Sequence, residues 1–403
     1  MPRLPRSLVS HDVRRHNLTV VLEHLVRSGP SARSEIAEAT GLTRGSVTAL
    51  VAALTKAGVL RETDPVSIGK GRPITRLELA ASDIAVLVAQ VDADTATALL
   101  TTLGGDELYR ASERHGRPMG EPDAVLDVLA VVVADALDAA AELRRRVVEL
   151  PIVVFAPVGG EPPVVLTDTD LGWGEVDVIG GLRSRLPSLP ESVSLESDGW
   201  LAALAERTVL SSAESLLYIK SNSGIGGAIL LSGRLVDGAH GVGGALGHMV
   251  VVPDGELCDC GQYGCLVTVA GPDVLLEQAG LAGLVAERGL AAATAELSAQ
   301  ITSGTTPAAA AWADALPWIA RSLQILSLAT DPETIVIGGF WAAHTASIEH
   351  AFRANRPRLT EAVGGRPAIP SVVAGRLGAD AALFGAVWAA RDTVLADPAR
   401  LGL

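Results

Sequence analysis

The first eighty residues place apolar side chains at helical spacing in three successive segments. The first segment has a period of about 3.6 residues and stops at Ser28-Gly29-Pro30, so it predicts a helix. Its apolar stripe consists of Leu18, Val21, Leu22, Leu25 and Val26. Ser31 is a candidate cap for a second helix over Ala32–Thr40, which turns Ile36 inward.

A glycine separates the second predicted helix from a third. Gly41 allows a sharp turn, and Thr43 can cap a helix that ends at Ala57-Gly58. The buried face of this third helix is predicted to consist of Val47, Leu50, Val51 and Leu54. Two helices joined by a glycine-containing turn, the second with small polar residues at its start, are typical of a helix-turn-helix.

Polar side chains on these helices predict a DNA-binding surface. Short hydroxyl groups and a guanidinium near the start of the third helix can reach base edges in the major groove or the neighbouring phosphates. The DNA-binding candidates on the helices are Arg33, Thr43, Arg44, Ser46 and Thr48.

Two short strands follow and frame a basic hairpin. Val59-Leu60-Arg61 and Ile74–Leu79 are predicted strands, joined through Gly69–Pro73. Lys70 and Arg72 in this hairpin suit a wing that contacts the minor groove. The alternative is a three-helix protein-interaction module with an ordinary solvated hairpin. The order of turn, polar helix start and basic hairpin favours a winged helix-turn-helix.

Beyond Ala80, strand-like and helix-like segments alternate, which predicts an α/β body. A strand-turn-strand-turn-strand pattern occurs twice and indicates a weak internal duplication. The first copy consists of Val86–Val91, Thr97–Thr102 and Glu107–Arg110, and the second of Leu216–Lys220, Gly227–Leu231 and Arg234–Val236. Two such units suggest two related lobes with a cleft between them.

Two features of the body are candidates for ligand chemistry. The glycine-rich run Asn222–Gly227 lies between two predicted strands, where its backbone N–H groups could hold phosphate, although a plain β-turn explains it as well. Asp198 lies between a predicted strand, Ser192–Leu195, and a predicted helix, Leu201–Glu206. Its carboxylate could act as a general base or accept a ligand hydrogen bond, or it could simply cap the helix.

All the cysteines of the chain, Cys258, Cys260 and Cys265, lie within one short segment, and His248 precedes them. A single intervening residue between the first two disfavours a disulfide, and the odd count leaves one thiol over. Three thiolates and one imidazole suit tetrahedral zinc and leave no position for water. We therefore predict one structural zinc ion per chain, held by His248, Cys258, Cys260 and Cys265. Three buried thiols without a metal are the alternative.

The charge of the chain is divided unevenly. Residues 1–80 carry 12 Lys and Arg against 7 Asp and Glu, whereas the remaining residues carry 20 against 39. A basic head thus precedes an acidic body that should repel DNA, so the head is the expected surface for a polyanion.

The length of 403 residues is sufficient for two or three domains with full cores. No N-terminal signal peptide is recognised, and the apolar stretches Val125–Leu143 and Ala308–Leu328 are interrupted by charges at helical spacing, as in core helices. Free thiols and a metal site predict a reducing, cytoplasmic location.

Taken together, these residues resemble the ROK family (repressor, open reading frame, kinase) over nearly the whole chain. The most specific match is Gly247-His248 followed by Cys258-x-Cys260-Gly261-x-x-Gly264-Cys265-Leu266. Further matches are Ala156-Pro157-Val158, Leu171-Gly172-Trp173, Gly224–Gly227, Pro332–Gly339 and Gly385-Ala386, and the basic hairpin Gly69–Pro73 resembles the wing of the family's repressors.

The resemblance implies an α/β fold: an N-terminal winged helix-turn-helix followed by a two-lobed, actin-like ROK domain of the ribonuclease H-like, sugar-kinase type. The expected boundaries are a flexible arm over residues 1–10, the winged helix over 11–80 and the ROK domain over 81–403. Within the ROK domain, residues 81–198 form the first lobe and 199–384 the second lobe with the zinc site. Residues 385–403 form a C-terminal helix that returns to the first lobe.

Several residues depart from the pattern of the kinase members, which phosphorylate sugars with ATP. Their Asp-x-Gly-Gly-Thr hairpin corresponds here to Asp92–Thr95, where two Cβ atoms and the charge of Asp94 are added. Their Glu-Asn-Asp-x-Asn run corresponds to Glu196–Trp200, which keeps Asp198 at the catalytic-base position and loses both amides. Two glutamates of the kinases are replaced by Ala245 and Val267.

These departures imply that kinase activity is lost, since each missing polar group removes a hydrogen bond worth about 0.5–1.5 kcal/mol and phosphoryl transfer needs neutralised charge. We expect an effector-responsive, DNA-binding transcriptional regulator, most simply a repressor. An active ATP-dependent sugar kinase with a regulatory DNA-binding head is the alternative.

The resemblance also implies which residues form the ligand site and which partners the chain has. The expected ligand-binding residues are Asp170, Trp173, Ser197, Asp198, Trp200 and His248, and the expected remnant of a phosphate loop is Gly224, Gly226 and Gly227. The expected partners are double-stranded operator DNA, a sugar or another small-molecule effector, and further copies of the chain in a homodimer or homotetramer.

Overall fold

The structure, a computed structural model, describes residues 10–56, 58–63, 75–79, 83–210, 214–236, 238–304, 307–354 and 369–397. The predicted wing tip Gly69–Pro73, with Lys70 and Arg72, lies outside these residues, as does nearly all of the arm predicted over residues 1–10.

The N-terminal head consists of three helices and a pair of short strands, in agreement with the apolar pattern. These elements are α1 (Ser10–Ser28), α2 (Arg33–Thr40), α3 (Arg44–Lys56), β1 (Leu60–Glu62) and β2 (Leu77–Leu79). The two strands pair antiparallel, with Leu60 opposite Leu79. The predicted helix stripes are buried, as shown by Leu22, Ile36 and Val51, which have no solvent exposure. The spacing of apolar residues therefore defines the core of the head correctly.

The two predicted helix caps in the head have different outcomes. Thr43 does cap α3, because its hydroxyl oxygen accepts a hydrogen bond from the Ser46 amide at 3.1 Å. The prediction for Ser31 is wrong: α2 has Ala32 at its N-cap, and the Ala32 amide donates to the Glu35 carboxylate at 2.9 Å. Ser31 instead forms backbone hydrogen bonds with Leu77, which tie the start of the second helix to the strand pair.

The first lobe of the body is built on a five-stranded sheet. Its strands are β3 (Ile84–Val91), β4 (Thr95–Thr102), β5 (Glu107–Arg114), β6 (Arg146–Val154) and β9 (Val193–Ser197), in the order β5-β4-β3-β6-β9. Helices α4 (Pro122–Glu142) and α5 (Val178–Arg185) cover one face, and β7 (Val158–Gly159) pairs with β8 (Val164–Val165). Every residue of β3 is buried, because this strand, apolar except for Gln90, is covered on both faces.

The second lobe contains a second five-stranded sheet and most of the helices. Its strands are β10 (Leu216–Ser221), β11 (Ile225–Leu231), β12 (Arg234–Leu235), β13 (Thr334–Gly339) and β14 (Ser371–Ala374), in the order β12-β11-β10-β13-β14. Its helices are α7 (Val267–Ala270), α8 (Pro272–Gln278), α9 (Gly283–Arg288), α10 (Leu290–Ser303), α11 (Ala308–Thr330) and α12 (Thr345–Ala354). Short 3-10 turns span Leu246–His248, Phe340–His344 and Gly378–Asp380.

The two sheets have the same topology, which agrees with the duplication predicted from the sequence. In each, the first three strands along the chain form an antiparallel meander. A fourth strand then pairs in parallel with the first one, and a fifth pairs in parallel with the fourth. All six strands predicted for the repeated units are present, with shifts of a few residues at their ends. The cleft between the lobes follows from this arrangement.

Two helices lie between the sheets: α6 (Asp198–Leu210) and α13 (Ala381–Ala396). They cross so closely that a methyl group at Gly385 would overlap the Leu201 carbonyl. Helix α13 also packs against β3 and β6 of the first lobe and against α1 of the head. At its far end the Thr19 hydroxyl of α1 donates to the Leu395 carbonyl at 2.9 Å. One hydrophobic cluster therefore runs from the head into the centre of the body.

Helix α13 begins at Ala381, four residues before the boundary expected at 385, and it does contact the first lobe. The domain boundaries as a whole remain a prediction.

The apolar stretches Val125–Leu143 and Ala308–Leu328 fall in α4 and α11, whose inner faces are buried. Among the residues that the structure describes, no helix is long and apolar enough to cross a membrane.

Candidate functional site

A cavity of about 360 Å³ opens between the two lobes. Its walls are short connecting segments: the turn at 167–170, the junction of β9 and α6 at 197–199, the turn at 222–227 and the loop at 242–248. Such a volume lies in the range of small-molecule sites, which are commonly found between lobes or domains. The cleft predicted from the duplicated topology is therefore a real concave site.

A buried ion pair joins two segments of the cavity wall. Asp198, the first residue of α6, is 5% exposed, and Lys220 near the end of β10 is 7% exposed. The Lys220 ammonium donates to the Asp198 carboxylate. Burial raises the pKa of the Asp198 carboxyl, while the charge of Lys220 acts in the opposite direction. Asp198 therefore does not simply cap α6, because its carboxylate forms an ion pair with Lys220 of the second lobe.

Two further carboxyl groups line the opposite wall. The Asp168 carboxylate accepts hydrogen bonds from the amides of Asp170 and Leu171, at 2.8 and 3.1 Å, and so shapes the turn. Burial, together with the charge of Asp170, raises the pKa of Asp168 to about 7. Burial also raises the pKa of Asp170. Both carboxyls are thus shifted toward their neutral form, in which each can donate one hydrogen bond to a ligand as well as accept others.

The glycine-rich turn predicted as a phosphate-loop remnant also lines the cavity. Gly224, Gly226 and Gly227 all belong to its wall. Side chains are excluded by neighbours in this turn, since a Cβ atom on Gly224 would lie 2.8 Å from the Asp170 carboxylate, and one on Gly227 would overlap the Tyr218 carbonyl. Close packing therefore requires Gly227 and restricts Gly224, whereas a Cβ atom on Gly226 would lie 3.7 Å from its nearest neighbour, the Gly244 carbonyl.

The structure brings together four of the six predicted ligand-binding residues. Asp170, Ser197, Asp198 and His248 line the cavity. The two tryptophans do not line it, which corrects their assignment. Trp173 is buried in the core of the first lobe, and its carbonyl bonds back to the Asp168 amide at 3.0 Å. Trp200 packs against the central cluster beside α13. Trp173 follows the cavity residue Asp170 in the sequence, and Trp200 follows Asp198. The two rings nevertheless pack in the hydrophobic cores.

Lys220 is the main cavity residue that the sequence did not indicate. It lies in strand β10, whose residues are all buried and of which Lys220 carries the single charge. A charged side chain in a central strand needs a buried partner. A lysine within a predicted buried strand is therefore a sequence signal for a buried ion pair, although it does not identify Asp198 as the partner.

A second cluster lies beside the cavity and contains the four predicted metal ligands. The ligand atoms of His248, Cys258, Cys260 and Cys265 all lie within 4.8 Å of one another. The distance from Cys258 Sγ to His248 Nδ1 is 3.6 Å, and that from Cys260 Sγ to Cys265 Sγ is also 3.6 Å. A tetrahedral zinc site with Zn–S bonds of about 2.3 Å has ligand separations of about 3.5 to 3.8 Å. The donor set and its spacing thus fit a single zinc ion.

Glycines and main-chain hydrogen bonds hold this cluster in place. Gly261 has φ 89° and Gly264 has φ 76°, and a Cβ atom on Gly264 would overlap the Val252 carbonyl. The Cys258 amide donates to the Gln262 carbonyl at 2.8 Å. Burial raises the pKa of Cys265 to about 12, so without a metal this group is a neutral thiol near pH 7. A metal would have to displace its proton.

The head presents the predicted polar start of α3 to solvent. Thr43 and Arg44 are exposed, and the Thr43 hydroxyl lies 2.8 Å from that of Ser46. Thr48 is exposed as well, and its hydroxyl donates to the Arg44 carbonyl at 2.8 Å. Arg33, at the start of α2, instead pairs with Glu62 of β1 at 2.6 Å. Arg44 therefore has an exposed guanidinium, whereas Arg33 would have to exchange its partner to contact DNA.

A winged-helix head on a two-lobed, actin-like body defines a class of protein with recognisable relatives. The profile of the ROK family matches residues 93–393, and the chain belongs to that family. It is similar to the xylose repressor of Bacillus subtilis, with 23% identity over 271 residues that cover 66% of this chain and 68% of that protein.

Two solved structures share the fold. A ROK family transcriptional regulator, a homologue of the E. coli MLC protein, has a TM-score of 0.72 and 24% identity, and covers 97% of this chain and 98% of its own. A ROK family glucokinase from Streptomyces griseus, in complex with glucose and AMPPNP, has a TM-score of 0.61 and 23% identity, and covers 76% of this chain and 99% of its own. The predicted fold class is confirmed.

The Asp168 carboxyl generates a pH-dependent prediction. Its folded pKa of about 7 lies above the ordinary value of 3.8, so its ionisation costs the folded state free energy. The protonated Asp168 carboxyl stabilises the folded state fully below the unfolded pKa of 3.8. This contribution is lost as the pH rises through the folded pKa of about 7. Asp168→Asn removes this cost and keeps an oxygen that can accept the two amide hydrogen bonds. Relative to the unmodified protein, the variant should gain stability between pH 5 and pH 8.

Urea unfolding of both proteins at pH 5 and pH 8 measures this gain. It should not exceed about 3 kcal/mol, since only the roughly two pH units between pH 5 and the folded pKa of about 7 contribute, at about 1.4 kcal/mol per unit. Asp314→Asn, which changes an exposed carboxylate of α11, is the control and should show no such trend. An Asp168→Asn effect that is equal at both pH values would contradict the prediction.

Proposed function

We propose that this protein is a transcriptional regulator that binds operator DNA through its head and a small-molecule effector in its cleft. The observation that carries the proposal is the exposed polar start of α3 on a helix-turn-helix whose core is continuous with the body. Helix starts of this composition can read base edges in the major groove. A repressor is the simplest regulator of this kind, and similarity to a xylose repressor supports it.

A mechanical connection between cleft and head supports an effector response. Asp198 in the cavity wall is the first residue of α6, which packs on α13 at Gly385. The end of α13 in turn holds α1 through the bond from Thr19 to Leu395. An effector that prefers one lobe arrangement would thereby change the position of the head, and DNA would change effector affinity by the same factor.

The proposal includes two copies of the chain, in a homodimer or as half of a homotetramer. Two heads related by a two-fold axis would read a roughly palindromic operator, with half-sites separated by the distance between their recognition helices. A sugar is the proposed class of effector, because hydroxyl groups match the carboxylates and backbone groups of the cavity wall.

We also propose that the four-residue cluster binds one structural zinc ion. With three cysteines and one histidine as ligands, the ion would have no open position for catalysis. It would stabilise the loop that joins the cavity wall to the second-lobe core, since His248 and Cys260 also line the cavity.

An active sugar kinase is the second candidate function, and the position of Asp198 in the cleft favours it. A general base must reach the substrate hydroxyl at about 2.6–3.2 Å with a free lone pair. Here the carboxylate is engaged by Lys220, and Asp94 fills a turn that is glycine-rich in the kinases and binds the Leu290 amide and Arg114 instead of facing the cavity. These two features support the loss of phosphoryl transfer.

The DNA-binding role predicts that Arg44→Ala weakens operator binding. Loss of one guanidinium contact at a base or phosphate should raise the dissociation constant about 10- to 100-fold. Genome-wide mapping of bound sites supplies the operator fragment, and fluorescence anisotropy at several salt concentrations measures its affinity. Arg353→Ala, in an exposed helix of the second lobe, is the control and should bind as the unmodified protein does. Absence of any sequence-preferring duplex binding would overturn the proposed function.

The zinc proposal predicts about one equivalent of zinc per purified chain. Because all three cysteines belong to the cluster, a thiol titration reports on this site alone. In the native protein the thiols should react slowly, and addition of a strong chelator should release the zinc and make all three reactive. Rapid reaction of three thiols in a native, metal-free protein would rule out the site.

The loss of kinase activity predicts no ADP formation above background with ATP, magnesium and a panel of hexoses. A coupled assay measures it, with a ROK glucokinase as the positive control. Sugar-dependent turnover that disappears in Asp198→Asn, with circular dichroism showing that the variant is folded, would instead establish the second candidate function.

A further inference from the structure

The turn between β3 and β4 of the first lobe reaches into the second lobe. Ala93 in this turn is 3% exposed and belongs to the hydrophobic cluster of the second lobe. Asp94, which follows it, is 6% exposed. A turn that is covered by the opposite lobe fixes the separation of the two lobes at this point.

The Asp94 carboxylate has two partners, one from each lobe. Its Oδ2 atom accepts a hydrogen bond from the amide of Leu290, the first residue of α10, at 2.9 Å. The Arg114 guanidinium at the end of β5 lies 3.5 Å from the same oxygen. A carboxylate at a helix start is favoured by the free amide and by the helix dipole. Asp94 therefore caps α10, a helix of the other lobe. The N-cap residue of α10 itself, Gly289, provides no side-chain cap.

Two arginines of the first lobe extend the connection. Arg114 donates through Nη2 to the Val285 carbonyl in α9 at 2.9 Å. Arg117 forms two hydrogen bonds with the Asp273 carboxylate of α8, at 3.0 and 2.8 Å. Paired bonds of this geometry are stronger than single ones, although the Asp273 carboxylate is 53% exposed and the pair is therefore partly screened by solvent.

The segment that carries Arg117 is itself fastened to the β3–β4 turn. The His115 amide donates to the Asp94 carbonyl at 3.0 Å, and the His115 ring nitrogen Nε2 lies 2.9 Å from the Asp92 carbonyl. A displacement of the turn would therefore move Arg117 as well. The three side-chain connections are thus linked through the main chain into one unit of the first lobe.

We propose that this unit is a built-in clasp, consisting of Asp94, Arg114 and Arg117 with their partners Leu290, Val285 and Asp273, that holds the lobes together without a bound ligand. None of its members lines the cavity. The clasp thus sets the resting separation of the lobes from outside the effector site. A regulatory consequence rests on the proposed function: β3 packs on α13, so release of the clasp would reach the head.

Hydrogen exchange of the full-length protein, read by mass spectrometry, tests the clasp without any ligand or DNA. Asp94→Ala should speed exchange at the start of α10 by about 10-fold or more, since a charge-assisted bond is lost. Asp94→Asn keeps an acceptor oxygen and should have a smaller effect. The decisive variant is Arg117→Gln, which does not contact Leu290 and should still speed exchange there if the lobes separate as a unit.

Glu113→Gln changes an exposed charge on the same strand and is the matched control, with no expected change at α10. Unchanged exchange in β6 verifies that each variant is folded, and Asp94→Asn serves if Asp94→Ala does not fold. Acceleration in Arg117→Gln that is confined to the surroundings of Asp273 would overturn the clasp and leave independent local bonds. These outcomes are separate from DNA binding, so the clasp and the proposed function can fail independently.

Discussion

The rest of the structure depends on the close crossing of α6 and α13 between the two sheets. The absence of a side chain at Gly385 allows the two backbones to meet at the Leu201 carbonyl. One helix begins in the cavity wall at Asp198, and the other ends against the head at Leu395. Because packed interiors resist gradual deformation, a shift of one helix must be passed to the other or be paid in lost contacts. The ligand cavity and the head are therefore parts of one packed body.

Electrostatics distinguishes the inside of the cleft from its outer edge. Inside, Lys220 pairs with Asp198, while burial raises the pKa values of the Asp168 and Asp170 carboxyls and so favours their neutral forms. At the edge, Arg114 and Arg117 carry the attraction between the lobes. The two sets of charges are not independent of each other. Besides burial, the charges of Arg117 and Asp273 at the edge also act on the pKa of Asp170 in the cavity wall.

Local patterns predicted the parts of the molecule whose residues are close in the chain. The stripes around Leu22 and Val51, the Thr43 cap and the cysteine segment all depend on neighbours within one or two turns. Local patterns could not predict contacts between distant residues. Leu290, the partner of Asp94, lies 196 positions away in the sequence, and Lys220, the partner of Asp198, lies 22 positions away on another element. Trp173 and Trp200 were misplaced for a related reason, since a ring beside a polar run can face either the cleft or the core.

The buried pair of Lys220 and Asp198 also constrains how this chain can evolve. Replacing either residue alone leaves the other charge buried without a counterion, at a cost of about 3–5 kcal/mol. That is a large part of the stability of an ordinary domain, about 5–15 kcal/mol. Loss of Lys220 alone would free the aspartate, but it would leave a buried carboxyl that sheds its charge only by taking up a proton. A return to a free aspartate would thus pass through a less stable protein, which selection for folding disfavours.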